Sequence, residues 1–441
     1  MDEIQRDAGL VRALTPWGLS ASIVNAVVGA GIFAVPAALA ANMGVYAPLA
    51  FLVCALAIGS IAICFAEGGS RIPTSGGASG FIEAAFGPLS GYVAGTLLWF
   101  GDLLTCGAIA AALADVVASF FPKAWMGPAH LATIAGVIGG IAYINLGGPA
   151  RGARLVEGAT VLKLIPLAIF VIAGVGAIHG SSFTNVTELS SAGIGRALIL
   201  AFFTFTGMET PLSASGEVAQ PATTIPRALA IALLPITLLF ISIQLIAQGI
   251  LGSSLAHSAV PLADAMGVIN PALRLLIVTG TALSMFGWIA SDMLGTPRVL
   301  FAFAREGSLP RVLGRVHPRT HAPNIAIVCY SALAIALAAS GTFAELAVLS
   351  TLVIAPLYML ACLAAWWLAR HGVAMAGAPL KFKWLGSAMV IGILSMLILI
   401  ALASRAEIVG VAAVVGLSAL THSATRRLQT RRSASKALLG S

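Results

Sequence analysis

The sequence predicts an all-α integral membrane protein of about twelve spans. Three observations carry that expectation. Of 441 residues, 59% are hydrophobic and only 9% charged, against roughly 25% charged in soluble domains. About twelve apolar runs each approach the roughly 20 residues that a spanning helix needs. Two of those runs, the first and the sixth, are interrupted by helix-breaking residues.

The expected spans cover 17–41, 46–70, 88–121, 129–148, 152–178, 193–217, 226–251, 272–304, 323–340, 344–370, 383–403 and 405–422. The third and eighth are long enough to imply tilt or extension beyond the bilayer. No alternating ten-residue segments point to a β-barrel, and no soluble domain is expected. The first run, although it begins close to the N-terminus, exceeds the 7–15 residues typical of a signal-peptide core and is taken as a span. Of the 24 basic residues, 19 fall in loops and tail on one side of this arrangement, four on the other, and Lys163 lies within a span. That asymmetry places both termini in the cytoplasm of a cell whose plasma (inner) membrane holds the chain. The net charge of +8 is therefore a topology signal. Nucleic-acid binding is excluded, since the basic residues are scattered without aromatic interleaving. The five cysteines are dispersed in apolar runs, which suggests packing and neither a disulfide framework nor a metal site. No cofactor is expected.

The first span breaks at Gly29–Ala30–Gly31, within NAVVGAGIFAVPAAL (25–39). The sixth breaks in FFTFTGMETPLSASGE (202–217), at Gly207, Pro211 and Gly216. Interrupted spans at corresponding positions of two halves mark a binding site built on inverted repeats. Spans 1–5 (about 17–178) and 6–10 (about 193–370) form the two units. Five being odd, they enter the membrane in opposite orientations. Two extra helices (about 383–422) and a basic tail (423–441) follow. Each break has two chemical ends: free N–H groups suited to a carboxylate, and free carbonyls suited to an ammonium. A single break could be a packing surface or kink; two facing breaks suit a zwitterionic α-amino acid.

GAGIFAVP at 29–36, FxFxGMExxxxxSGExxxPxxxIPRA at 203–228, PRxLFAFAREGSLPRVL at 297–313 and EGGSRIPTSGGASGF at 67–81 together resemble the amino acid–polyamine–organocation transporters. The resemblance implies a leucine-transporter-type 5+5 inverted-repeat fold with broken helices 1 and 6. It also implies uptake or exchange of amino acids or amines by alternating access. By the same resemblance the substrate carboxylate meets the N–H groups of Ala30, Gly31 and Ile32, beside Gly29. The ammonium meets the carbonyls of Val27, Phe203 and Thr206, next to Gly207. Phe203 covers the substrate on the extracellular side. Many relatives carry Ser where this chain has Ala30. Phe33, Phe202 and Phe205 read equally well as lipid-facing packing.

Lys163 lies about 16 Å into its span at 1.5 Å per residue, too deep to snorkel readily. A charge there marks function by default. In sodium-independent members of the resembling family a lysine occupies this place instead of a structural sodium ion, bridging the first helix to the fifth and eighth. Lys163 is then a proton carrier or a permanent tether. Four acids also fall inside spans: Glu67, Asp102, Glu209 and Asp292. Glu67 and Glu209 sit in family motifs and suggest gating, with Glu209 the candidate for proton linkage. Asp102 and Asp292 align with positions that line the side-chain subsite of an arginine/agmatine-exchanging relative. Two carboxylates there suit a cationic side chain; the alternative is that they pair internally with Lys163, Thr105 or Ser291.

The expected function is a sodium-independent secondary transporter of amino acids, an exchanger or proton symporter, with cationic substrates slightly favoured. Neutral amino acids or polyamines are the alternatives, and a channel or a sensor with a transporter fold would be a different class. No selectivity-filter element stands out, and no HExxH or GxSxG motif suggests an enzyme. The partners are an amino acid or amine, the lipid bilayer and possible coupling protons, in a monomer or loose homodimer.

Overall fold

Apolar runs whose backbones meet no water have one local solution, the helix. Every expected run contains one in the structure, a computed structural model that describes residues 14–29, 31–74, 76–148, 163–183, 189–212, 218–305, 307–375 and 379–439. Ala30, residues 152–162 of the fifth run and residues 213–217 of the sixth, Gly216 among them, lie outside the described residues. Among the described residues seven helices are long and apolar enough to cross a membrane, and four shorter apolar helices accompany them. There is no strand among them, only an isolated bridge between Leu14 and Val218.

The first run forms two helices, α1 (Pro16–Val27) and α2 (Gly31–Met43). Pro16 opens α1 where its missing N–H costs nothing, and the Thr15 hydroxyl caps it by accepting the Gly18 N–H at 3.2 Å. The chain continues through α3 (Ala47–Arg71), a short α4 (Ala78–Phe86), α5 (Pro88–Ala118), α6 (Lys123–Leu146) and α7 (Leu164–Gly174). The second interrupted run forms α8 (Ser191–Phe203) and the single turn α9 (Glu209–Leu212); then come α10 (Pro221–Leu251) and α11 (Pro261–Ile269). The eighth run divides into α12 (Pro271–Gly295) and α13 (Pro297–Arg305) at the Thr296–Pro297 step, where proline cannot continue the hydrogen-bond ladder. Next are α14 (Asn324–Ser340), α15 (Phe343–Arg370), α16 (Leu385–Ala401) and α17 (Arg405–Leu439). The last helix runs on through the basic tail. Helix α6 starts six residues earlier than expected from hydropathy, because Pro128 falls inside it and not before it.

Without a strong hydrophobic drive between helices in lipid, close packing needs small residues. A Cβ at Gly101 of α5 would lie 2.5 Å from Ile354 of α15, and one at Gly280 of α12 would lie 2.2 Å from Pro166 of α7. Larger side chains fill the middle of the bundle. Phe205 packs on Phe51 and Phe240 with ring centroids 6.2 and 5.2 Å apart, and Tyr358 packs on Phe65 and Phe202 at 5.6 and 6.0 Å. Phe33, Phe202 and Phe205 are therefore buried within the bundle, not lipid-facing. Phe202 and Phe205 hold the sixth-run break against α3, α10 and α15.

Glu67, expected in gating, has a specific job at the end of α3. Its carboxylate accepts from Arg71 at 2.7 and 2.9 Å, with both side chains buried. Its second oxygen accepts the Phe382 N–H at 3.1 Å, Ser70 accepts that of Leu380 at 3.2 Å, and Arg71 donates to the Val373 carbonyl at 3.2 Å. The segment leading from α15 to α16 is thereby laced onto α3.

Candidate functional site

A helix ends with four carbonyls that have no partner within it. Water satisfies them at a surface; at the end of α1 the protein does. The Val24 carbonyl accepts the Val28 N–H at 2.9 Å and the Val27 carbonyl accepts the Gly29 N–H at 2.8 Å. Lys163, at the start of α7, donates its ammonium to the Asn25 carbonyl. Trp288 of α12 donates its indole N–H to the Ala26 carbonyl at 3.1 Å. Two other elements thus converge on one helix end, and a Cβ at Gly29 would lie 2.9 Å from the Trp288 ring.

The sixth-run break lies across this point. Gly207 adopts φ +106°, a conformation that side chains disfavour, and a Cβ there would lie 3.1 Å from the Ala26 carbonyl. A Cβ at Gly31 would meet Thr204 at 3.0 Å. The glycines thus let two unwound backbones touch. The Gly207 N–H donates to the Glu209 carboxylate at 3.1 and 3.2 Å, and the Tyr358 hydroxyl donates to the same group at 2.6 Å. The Phe203 carbonyl accepts the Thr206 N–H at 3.2 Å and the Thr206 hydroxyl at 2.7 Å.

Between the breaks lies a narrow cleft of about 20 Å³, lined by Val27, Gly29, Gly31, Asp102, Phe203, Thr206, Gly207 and Glu209 among others. The structure therefore gathers eight of the residues singled out from sequence. Ile32 is buried just behind them at the start of α2. Ala30 lies outside the described residues. Asp292 lines an adjoining cavity of about 740 Å³, which Asp102, Gly207 and Trp288 also border and which extends to Glu83, Arg298 and Thr425. On the opposite side a cavity of about 150 Å³ reaches Asp115. Phe203 and Phe343 stand between it and the cleft, edge to face with centroids 5.8 Å apart.

Asp292 accepts from the Thr296 hydroxyl at 2.7 Å and from the Tyr330 hydroxyl at 2.5 Å. The same Thr296 hydroxyl stands 3.5 Å from Asp102. Of the internal partners considered for the acids, Lys163 is directed to Asn25, and Thr105 is bonded to Ser350 at 2.7 Å and to the Gly101 carbonyl at 2.9 Å. Neither Asp102 nor Asp292 forms an ion pair among the described residues. Sequence reasoning missed Tyr330, Tyr358 and Thr296. Tyr330 and Tyr358 are two of only five tyrosines, and both sit mid-span; a polar group at such a depth implies a partner, though not which one.

The amino acid permease family matches residues 14–416. An uncharacterized transporter of Mycobacterium tuberculosis is 34% identical over 346 residues, covering 77% of this chain and 75% of its own. The serine/threonine exchanger SteT of Bacillus subtilis is 29% identical over 346 residues, covering 75% of this chain and 76% of its own. The branched-chain amino acid permease BcaP of the same organism is 25% identical over 347 residues, covering 73% of each chain. Crossed helix breaks, spans and sequence agree: this chain belongs to the amino acid permease family of amino acid–polyamine–organocation transporters, all-α membrane proteins with broken helices.

Proposed function

We propose that the chain moves amino acids across the cell's plasma membrane by alternating access, without sodium, as an exchanger or proton-coupled carrier that favours cationic side chains. The observation that carries the preference is the pair Asp102 and Asp292, joined through Thr296 at the edge of the helix breaks and free of any ion pair among the described residues. A substrate held by its carboxylate at the N–H end of α2, where Gly31 and Ile32 stand, extends its side chain past Asp102 toward Asp292. Its ammonium is received by the carbonyls of Val27, Phe203 and Thr206. Phe203 closes over it on the side of Phe343, the extracellular side if the basic loops face the cytoplasm. The 740 Å³ cavity is then the cytoplasmic vestibule.

Sodium independence rests on Lys163, whose ammonium supplies a fixed positive charge to a carbonyl of the broken helix. In this reading Lys163 is a tether, and Glu209, already bonded by Tyr358 and Gly207, shapes the second break. A second reading, small neutral substrates, is favoured by the similarity to a serine/threonine exchanger.

One experiment separates the two. Reconstituted protein is assayed for uptake of a radiolabelled substrate against a panel of amino acids and amines. Choline in place of sodium leaves uptake unchanged; a strict sodium requirement overturns the role of Lys163. Asp102→Asn or Asp292→Asn selectively weakens competition by arginine and lysine. Equal losses for arginine and alanine favour the neutral reading.

A further inference from the structure

Asp102 and Asp292 raise a question of charge balance that substrate recognition alone does not answer. Both are half-buried in the wall of one cavity. Asp292 accepts two hydroxyl bonds, from Tyr330 and Thr296. A hydroxyl has one proton to give, and Thr296 gives its own to Asp292 at 2.7 Å, leaving Asp102 with a contact of 3.5 Å. The other groups facing the pair act unequally. Tyr330 and the Cys106 thiol face Asp292 as hydrogen-bond donors and ease a charge there, whereas the Glu209 carboxylate faces Asp102 from the second break and opposes one. Lys163 is turned to Asn25, and Arg298 borders the cavity without forming an ion pair among the described residues. Two like charges bridged by a single hydroxyl titrate as a unit and do not both ionise easily in a partly dry site.

Resting on the cationic-substrate reading, the geometry points to a proton-binding site at the Asp102–Asp292 pair, one that gives up its proton when a cationic side chain binds. The pair holds one proton on a carboxyl oxygen in the empty carrier. When the guanidinium or ammonium of a substrate enters, the O–H bond breaks and the proton leaves through the water of the cavity. The carboxylate then pairs with the cation. Charge at the subsite is conserved, one proton out for one positive side chain in. A neutral amino acid displaces nothing. Net import of a cationic substrate is then linked to counter-movement of a proton, and the carrier returns reprotonated.

The test uses purified full-length protein in a weakly buffered solution containing a pH-indicator dye, with arginine and alanine as probes. Arginine is expected to release about one proton per molecule bound, and alanine none. The linked measurement is the affinity for arginine, which should tighten with rising pH by up to tenfold per unit while alanine affinity stays level. In Asp102→Asn the proton release is lost. Selective weakening of arginine by Asp102→Asn, with no proton release and no pH dependence in the unmodified protein, overturns the proton site and leaves the substrate reading standing. Binding of arginine no tighter than alanine, with equal losses for both in the variant, overturns both. The pH dependence is read on the unmodified protein, so a variant that misfolds does not rescue the proposal.

Discussion

Glu209 is a buried carboxylate held, among the described residues, by the Tyr358 hydroxyl and the Gly207 N–H, which makes its energetics measurable. Tyr358→Phe removes one hydroxyl and keeps the ring on Phe65 and Phe202, at centroid distances of 5.6 and 6.0 Å. The lost contact is 2.6 Å long between two fully buried side chains. A hydrogen bond to a charged group contributes about 1.5–3 kcal/mol and one between neutral groups about 0.5–1.5 kcal/mol. Glu209→Ala removes the acceptor outright; the Gly207 N–H, 3.1 Å away in the unmodified protein, loses its partner in the single and the double variant alike, so that cost cancels. A double-mutant cycle of the two changes then isolates the hydroxyl–carboxylate pair. Read by denaturant unfolding in mixed micelles, the coupling is expected at about 2 kcal/mol, the value for an ionised Glu209. A coupling nearer 1 kcal/mol identifies a neutral carboxyl, and so restores Glu209 as a proton site. Additive effects refute the contact and its part in holding the second break.

Thr206→Val removes the hydroxyl that occupies the Phe203 carbonyl at 2.7 Å. If a substrate ammonium competes for that carbonyl, its dissociation constant falls by roughly 2- to 12-fold, equivalent to about 0.5–1.5 kcal/mol; weaker binding would mean that the hydroxyl touches the substrate. Gly207→Ala places a Cβ at φ +106° and 3.1 Å from the Ala26 carbonyl, with strain of about 1–3 kcal/mol, and is expected to abolish uptake while the protein still reaches the membrane. Glu67→Ala leaves the Arg71 guanidinium buried without its carboxylate, a loss of about 3–5 kcal/mol. Protease accessibility of the segment around Val373 and Phe382 should rise with it.

How much of this was legible beforehand depends on the range of the interaction concerned. The spans follow from local composition, because lipid leaves the backbone no other option. The breaks were equally local: glycine and proline inside an apolar run contradict the run, and the contradiction marks the candidate site. Lys163 stood out for the same reason. What sequence could not supply was partnership across the bundle. Asn25 and Lys163 are 138 positions apart, and Glu209 and Tyr358 are 149 apart. Thr105 reads from sequence as a partner for the acids, yet it bonds Ser350, 245 positions away, while Thr296 meets the acids. Hydroxyl side chains are common in spans, and nothing in their spacing says which carboxylate each one meets. The Thr296–Pro297 division of the eighth run was readable from its proline, yet hydropathy averaged across it.

The satisfied end of α1 bears on how such a site moves. Two of its four terminal carbonyls are bonded within the local chain, by Val28 and Gly29, and travel with the helix. The other two are held from outside, by Lys163 at the start of α7 and by Trp288 on α12. Swinging α1 away from these helices would break only that second pair. A charged and a neutral hydrogen bond together are worth about 2–4.5 kcal/mol. That magnitude matches the few kcal/mol separating conformers whose minor state is populated at 0.1–10%. Stronger tethers would lock the carrier, and unpaired carbonyls in lipid would prevent the break from forming at all. Bonds of this size leave the equilibrium within reach of a substrate, which on the proposed reading would make contacts at the two breaks that offset the loss.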